Sequence, residues 1–301
     1  MGFDQKVELI GCDVLKNEPM SKHTSFKIGG PVDYFVKVKT KDELSLILNL
    51  IREYDVPLFL MGNGSNLLVS DRGVDGCVVK LDGDFNKINL ISETTVSVGA
   101  AVLLSRLASF AMENSLSGLE FASGIPGTIG GAVYMNAGAY GGQMSDIVQG
   151  CSHIDLDGNM GYRQKSDMNF GYRQSVYINT CDIITSVDLK LQFSDRNLIK
   201  STMSNLSSKR KEKQPLSFPS AGSVFKRPEG YFAGTLVEQC GLKGAKVGGA
   251  MVSEKHAGFI VNTGNATSQD VCDLIQKIKD TVAAKTGIEL QCEVKFIGRE
   301  F

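Results

Sequence analysis

The stretch SGIPGTIGGAVYMNAGAYGG, residues 123–142, decides the fold class that we expect for this chain. It contains seven glycines in twenty residues and no charged side chain. Glycine admits positive φ and has no side chain, so successive backbone N–H groups can converge on an anion. A pyrophosphate needs such donors at close range, and a neutral surface suits a buried cofactor. We interpret this segment as one wall of a dinucleotide site.

A second glycine segment, GNGSN at residues 62–66, follows the apolar run LFLM. Taken alone, such a short motif is equally typical of an ordinary turn. Neither segment is a Rossmann fingerprint, since residues 62–67 lack the third glycine and residues 123–131 have the spacing G-x-x-G-x-x-G. A P-loop is also absent from the sequence. The pattern therefore predicts a dinucleotide fold other than the doubly wound one.

Outside these segments, the apolar patterns predict alternating helices and strands. Thr40 to Glu43 reads as a capping box that opens a helix, and a second long helix starts at Thr267 and ends at Gly287. Further helices are predicted at residues 102–114 and 197–211, and strands at 58–61, 77–81, 95–99 and 187–193. A last strand is predicted to turn Ile288, Leu290, Cys292, Val294 and Phe296 inward.

Composition excludes several function classes. The chain has 301 residues and a net charge of -1, so no basic field attracts nucleic acid or an anionic membrane. Eighteen consecutive apolar residues occur nowhere, and the N-terminus has no signal-peptide pattern. Seven cysteines without C-x-x-C spacing indicate reduced thiols in a cytoplasm. The three histidines form no triad or metal motif, so we expect no metal site.

An ordered set of motifs carries a family resemblance. These are HTSFKIGGP at 23–31, GNGSN at 62–66, SGIPGTIGGAVYMNAGAYG at 123–141, FGYRQS at 170–175, AGSVFKRP at 221–228, GLKG at 241–244, SEKHAGFIVN at 253–262 and EVKFIG at 293–298. In this order, and over nearly the whole chain, they resemble the UDP-N-acetylenolpyruvoylglucosamine reductase family of peptidoglycan precursor synthesis.

The resemblance implies a fold, a cofactor and a reaction. The expected fold class is α+β: an FAD-binding fold of the vanillyl-alcohol-oxidase type, with two α/β subdomains, plus a C-terminal α/β substrate-binding domain. The expected bounds are 1–82, with a strand at 294–301 returning to it, then 83–213 and 214–293. FAD is expected to bind non-covalently, to be reduced by NADPH and to reduce UDP-N-acetylenolpyruvoylglucosamine to UDP-N-acetylmuramate. The resemblance further implies a cytoplasmic enzyme, which we expect to be a monomer.

The same resemblance assigns three catalytic positions. Arg173 is expected to neutralise the substrate carboxylate, Ser223 to donate a proton and Glu293 to assist polarisation. Without the resemblance, Ser223 is typical of a turn, Arg173 of an exposed surface and Glu293 of the polar face of a strand.

The remaining site residues are also assigned by resemblance. Expected cofactor contacts are Gly62, Asn63, Gly64, Ser65, Asn66, Ser123, Gly124, Ile125, Pro126, Gly127, Thr128, Gly130, Gly131, Asn136, Gly138 and Lys295. Expected substrate contacts are Tyr172, Arg210, Lys213, Lys226 and Arg227. The chain departs from part of the family in three ways: it lacks an insertion bearing a tyrosine, has Arg227-Pro228 where some members have Asn-Pro, and has Lys295 where arginine is frequent.

Two other functions remain open at this point. One is an FAD-dependent oxidase of the same fold acting on another substrate; many such oxidases hold the flavin covalently through histidine or cysteine. The other is a non-catalytic nucleotide-binding protein. Such a protein needs the glycine segments but not Ser223, Arg173 and Glu293 together.

Overall fold

A computed structural model describes residues 1–300, and Phe301 lies outside the described residues. The α-helices are α1 (Phe3–Ile10), α2 (Lys41–Glu53), α3 (Leu104–Glu113), α4 (Ile129–Tyr134), α5 (Met144–Ile147), α6 (Arg196–Lys213), α7 (Ala233–Gln239) and α8 (Ser268–Thr286). The strands are β1 (Asp13–Pro19), β2 (Pro31–Val38), β3 (Leu58–Met61), β4 (Leu67–Val69), β5 (Val74–Leu81), β6 (Ile88–Ser92), β7 (Thr95–Gly99), β8 (Leu116–Ser117), β9 (Gly138–Ala139), β10 (Gly142–Gln143), β11 (Val148–Ile154), β12 (Met160–Gln164), β13 (Ile183–Lys190), β14 (Gln192–Phe193), β15 (Lys246–Val247), β16 (Ala250–Val252), β17 (Ile260–Asn262) and β18 (Lys295–Ile297).

The chain divides into two compact units, and each has its own hydrophobic core. The first unit comprises Met1–Leu15, Tyr34–Asn63 and Gly76–Arg210, and the second comprises Lys16–Asp33, Gly64–Asp75 and the chain from Lys211 onward. The chain therefore enters the second unit three times.

Sheets with helices against them build the first unit. Its five-stranded antiparallel sheet has the order β12-β11-β13-β7-β6. A four-stranded sheet has the order β1-β2-β5-β3, in which β3 and β5 run parallel; the first unit holds all of β3 and most of β2 and β5. The buried faces of α2 and α3 contribute Leu44 and Leu107 to the core. The glycine segment of residues 123–142 lies in this unit, after α3.

The second unit is smaller and is built around α8. The three-stranded antiparallel sheet β15-β16-β17 contacts this helix, and α7 packs beside it. One face of α8 is buried in the core and carries Val271, Leu274, Ile275, Ile278 and Val282. Thr267 caps the helix, and Gly287 closes it in the left-handed conformation with φ of 74°. These two end signals were predicted and are confirmed.

The domain bounds expected from the sequence differ from this division. Residues 16–33 and 64–75, which the sequence analysis assigns to the first FAD subdomain, belong to the second unit. The physical reason is that Phe26, Ile28 and Leu68 are buried in the second core. Strand β18 also pairs in parallel with β4. All of the expected domain bounds, including the division of residues 1–213 into two subdomains, stay a prediction.

The capping box at Thr40 forms only in part. The hydroxyl of Thr40 accepts from the backbone N–H of Glu43 at 3.1 Å, as predicted. The Glu43 carboxylate instead accepts from the backbone N–H of Lys39 at 2.6 Å and from the thiol of Cys12. The helix start is therefore correct, although the reciprocal bond goes to a neighbouring residue.

The last predicted strand is the largest departure. Leu290 and Val294 are buried as expected, but Phe296 is exposed, and regular strand structure covers only Lys295–Ile297. Upstream of it the chain makes isolated bonds instead: Lys226 N–H donates to Gln291 O at 2.8 Å, and Phe225 pairs with Cys292. The prediction of one continuous strand is wrong because two different partner segments hold its two halves.

We predict that Leu274→Ala lowers the free energy of unfolding of the second unit by about 2–5 kcal/mol, since truncating a buried leucine loses burial and leaves a cavity. Leu274 is 0% exposed, whereas Leu198 on α6 is 60% exposed and serves as the matched control. Urea unfolding measures both variants. Equal shifts for Leu274→Ala and Leu198→Ala would contradict the assignment of α8 to a core.

Candidate functional site

The two predicted cofactor segments approach each other within the first unit at Gly62 and Asn63. The side-chain amide of Asn63 donates to the carbonyl of Pro126 at 2.7 Å. A methyl group on Gly62 would lie 2.6 Å from Oγ1 of Thr128, closer than any real contact allows. Glycine at position 62 is therefore required by the approach of the second segment. Thr128 in turn caps α4, since its hydroxyl accepts from Gly131 N–H at 3.3 Å.

The turn at residues 62–66 presents unused backbone donors. Within residues 1–300, no hydrogen bond takes up the N–H groups of Asn63, Gly64 or Ser65. Gly64 is buried and has φ of 62°, a conformation that glycine adopts without strain. Successive N–H groups around one left-handed residue form a concave anion site. This arrangement fits the pyrophosphate of a dinucleotide such as FAD.

Residues 123–131 fit the same cofactor through their backbone. Gly130 N–H donates to Ala100 O at 2.9 Å, and a methyl group there would lie 2.9 Å from Cβ of Ala100. Gly130 thus permits close packing against the end of β7. At Gly124, the nearest neighbour of an added methyl group is Nη1 of Arg210, at 3.0 Å. Arg210, expected to contact substrate, is therefore one cation that lies against the glycine segment.

Arg173 occupies a tight turn in the first unit. Its φ is 53°, a left-handed conformation that costs a residue other than glycine about 1–3 kcal/mol. Gly171 and Gln174 close the turn through two backbone hydrogen bonds of 3.1 and 3.3 Å. The guanidinium Nη2 donates to the carbonyl of Gly138 at 3.3 Å and lies 5.0 Å from the ring of Tyr172. Strain of this kind is typical of functional residues.

Ser223 and Glu293 lie on neighbouring segments of the second unit. Glu293 N–H donates to the carbonyl of Val224, the residue after Ser223, at 2.7 Å. The side-chain amide of Asn66 donates to the carbonyl of Glu293 at 3.1 Å. Ser223 itself pairs with Phe259 in an isolated bridge. Both side chains are half-buried, so their backbones are fixed while the side chains keep access to solvent.

Four of the five expected substrate residues lie at the surface or near it. Tyr172, Lys213 and Arg227 are exposed, and Lys226 is half-buried. The Arg227 guanidinium lies 4.5 Å from the ring centroid of Phe232, which is itself exposed. This cation–π contact holds the cation along the ring face. Lys295 is likewise exposed, and its backbone N–H donates to Asn66 O at 3.0 Å.

Ser25 was not predicted as a site residue, yet it links two segments of the second unit by hydrogen bonds. Its hydroxyl donates to Ser220 O at 2.7 Å, and its backbone N–H donates to Gly64 O at 3.1 Å. It therefore joins the cofactor turn to the segment that leads to Ser223. Ser25 lies in the quoted motif HTSFKIGGP, which was the one signal for it.

The buried Cys12 and Cys77 thiols and the His256 ring are uncharged at neutral pH. Burial raises the pKa of the Cys12 and Cys77 thiols to about 12, so both are protonated at neutral pH. Burial likewise lowers the pKa of His256, which stays neutral beside Gly258. In residues 1–300 no group of three potential ligands could hold a metal ion. Over the same residues, no helix combines the length and apolar character needed to span a bilayer.

Family models match two parts of the chain. Residues 32–160 match the FAD binding domain, and residues 214–297 match the C-terminal domain of UDP-N-acetylenolpyruvoylglucosamine reductase. Full-length relatives agree with both. The UDP-N-acetylenolpyruvoylglucosamine reductase of Clostridioides difficile is 47% identical over 96% of this chain and 94% of that protein. The enzyme of the same name from Alkaliphilus oremlandii is 49% identical over 95% of this chain and 94% of its own length.

Solved structures agree with the family models. The crystal structure of UDP-N-acetylenolpyruvylglucosamine reductase from Thermus caldophilus superposes with a TM-score of 0.81 at 35% identity, covering 95% of this chain and 98% of that one. A berberine bridge enzyme variant shares the fold alone, with a TM-score of 0.50 at 16% identity over 65% of this chain and 44% of that one. The predicted α+β fold with an FAD-binding part of the vanillyl-alcohol-oxidase type is confirmed.

We predict that Gly62→Ala lowers the flavin content of the purified protein, because the added methyl group would lie 2.6 Å from Oγ1 of Thr128 and push the two segments apart. The flavin-to-protein absorbance ratio after gel filtration measures this. The double variant Gly62→Ala, Thr128→Ala removes the clashing oxygen and leaves Cβ at 3.7 Å, so it regains part of the flavin. A double variant no better than Gly62→Ala would show that the clash is not the cause.

Proposed function

The chain belongs to the UDP-N-acetylenolpyruvoylglucosamine reductase family, and we propose from this membership that it reduces UDP-N-acetylenolpyruvoylglucosamine to UDP-N-acetylmuramate with electrons from NADPH. It is an FAD-containing oxidoreductase of peptidoglycan precursor synthesis. The observation that carries the substrate is the identity of 47% to a reductase of that name over nearly the whole chain. We further propose that it acts in the cytoplasm as a monomer.

The two glycine segments are proposed to hold FAD. The backbone donors of Asn63, Gly64 and Ser65 suit its pyrophosphate, and residues 123–131 offer a neutral wall for the rest. Bound FAD supplies the redox chemistry, accepting a hydride from NADPH and delivering one to C3 of the enolpyruvyl group. The side chains of the protein must then stabilise the negative charge that develops on the substrate and supply the proton that completes the reduction.

Arg173 is proposed to neutralise charge on the substrate carboxylate. As C3 gains the hydride, electron density moves toward this carboxylate, giving an enolate-like species. A guanidinium matches a carboxylate with two parallel N–H donors and stabilises negative charge that develops in the reaction. The turn that holds Arg173 supports this role, since a strained left-handed arginine tied to Gly138 O has few alternative positions.

Ser223 is proposed to protonate C2, and Glu293 to assist it. A serine hydroxyl is a weak acid, so a nearby group must polarise it or resupply its proton. Glu293 follows Cys292 on the segment bonded to Val224, which supports a shared task for the two residues. Lys226, on the same segment as Val224, and Arg227 are proposed substrate contacts, together with Tyr172, Arg210 and Lys213.

The two alternative functions have weaker support. A covalent-flavin oxidase needs an attachment residue, and none of the three histidines or seven cysteines lies in residues 62–66 or 123–142. His23, for example, is within 3.0 Å of the carboxylate of Glu18. A non-catalytic nucleotide-binding protein would not need Arg173, Ser223 and Glu293 together. The comparisons favour neither function.

We predict that NADPH bleaches the flavin band of the purified protein and that UDP-N-acetylenolpyruvoylglucosamine restores it without oxygen. Anaerobic stopped-flow absorbance measures both steps, because the two half-reactions change the flavin in opposite directions. Bleaching without recovery would contradict the proposed substrate, and a colourless protein would contradict the flavin site.

We predict that Ser223→Ala leaves the bleaching step intact but slows the recovery step about 10²–10⁴-fold, the usual contribution of a positioned proton donor. The same stopped-flow measurement separates the two steps. Ser204→Ala, an exposed serine of α6, is the matched control and should change neither. Recovery at the wild-type rate in Ser223→Ala would exclude Ser223 as the donor.

A further inference from the structure

Asn136 is placed for a task other than holding a cofactor with its side chain. It is 2% exposed and has φ of 44°. Its Nδ2 donates to Gly171 O at 2.9 Å and lies 3.4 Å from Oε1 of Gln143, while Oδ1 accepts from Ser145 N–H at 2.9 Å. The amide is thus bonded to protein on both sides, whereas the sequence analysis expects it to contact the cofactor.

The bond to Gly171 reaches the turn that carries Arg173. Gly171 O also accepts from the backbone N–H of Gln174 at 3.3 Å, so this carbonyl closes the turn and takes the Asn136 bond as well. Asn136 therefore fixes the first residue of the four-residue turn from outside. The left-handed conformation of Arg173 depends on the closure of that turn.

Two further bonds tie the same turn to the same segment. The carbonyl of Gly138 accepts from the Arg173 guanidinium at 3.3 Å, and the carbonyl of Tyr134 accepts from the Ser175 hydroxyl at 2.6 Å. Ser175 is 0% exposed, so it has no water to replace that bond. Residue 136 thus holds the turn before Arg173, residue 138 holds Arg173 itself, and residue 134 holds the turn after it.

We propose that Asn136 is a positioning residue for Arg173: its amide holds Gly171 and so sets where the guanidinium lies during substrate reduction. The inference rests on the proposed function of Arg173. It assigns Asn136 to the step in which the substrate carboxylate gains charge and not to the retention of FAD. A small displacement of a positioned group is enough to slow chemistry by about 100-fold.

Asn136→Gly tests this without backbone strain, because glycine accepts the positive φ while the amide is lost. We expect flavin content and bleaching by NADPH to stay within about twofold of the wild type, and recovery by UDP-N-acetylenolpyruvoylglucosamine to slow about 10- to 100-fold. Asn114→Ala, which removes an amide bonded to the carbonyl of Phe110 in the same unit, is the matched control. It should change neither half-reaction.

Asn136→Asp tests for a pH dependence of the recovery rate that a merely structural role would not produce. The new carboxyl has the shape of the amide but donates to Gly171 O only when protonated. Burial raises the pKa of such a carboxyl, so its neutral, donating form is populated as pH falls. We expect the recovery rate, divided by that of the wild type at the same pH, to rise as pH is lowered. The same ratio for Asn136→Gly should stay flat.

The outcomes separate this inference from the proposed function. Failure of the wild type to recover with the enolpyruvyl nucleotide would overturn the proposed function itself. If the wild type recovers, the inference is overturned when Asn136→Gly keeps the wild-type recovery rate or loses flavin and both half-reactions in parallel. A pH-independent ratio for Asn136→Asp would also overturn it.

Discussion

The approach of two glycine-bearing segments is the constraint on which the first unit depends. Asn63 and Pro126 are joined by a hydrogen bond of 2.7 Å, and Gly62 has no room for a methyl group beside Thr128. Thr128 must hold its own position to make that contact, and it does so by capping α4. The start of α4 and the positions of Gly62 and Asn63 are thus fixed by one contact region.

Within the second unit, one segment likewise bonds to two different partners. One extended segment, residues 291–297, bonds first to Val224 and Lys226 and then pairs with β4. Because Glu293 lies where the partner changes, its backbone is held by Val224 on one side and by Asn66 on the other. The position of this glutamate is therefore set by two segments from distant parts of the chain. Its half-buried side chain remains available for chemistry.

Local signals could be predicted from the sequence, and distant pairings could not. Thr267 and Gly287 mark the ends of α8 because capping depends on residues within one helical turn. The alternation near the C-terminus correctly indicated buried Leu290 and Val294, yet it could not reveal which segments pair with them. Likewise, no pattern in the sequence shows that Asn136 bonds to Gly171. The family resemblance suggested the site residues, and the structure adds the hydrogen bonds that hold their backbones.

The charges of the site follow from this arrangement. Residues 123–142 carry no formal charge, so an anion bound against them would be held by backbone dipoles, which act only at short range and in fixed directions. The accurate placement of backbone N–H groups then takes the role that a long cationic side chain would otherwise have. The arginines near this segment are placed by its backbone as well: Arg173 by a carbonyl, and Arg210 by the missing side chain of Gly124. A neutral glycine segment can therefore leave backbone N–H groups available to an anion while a carbonyl of the same segment orients a guanidinium group.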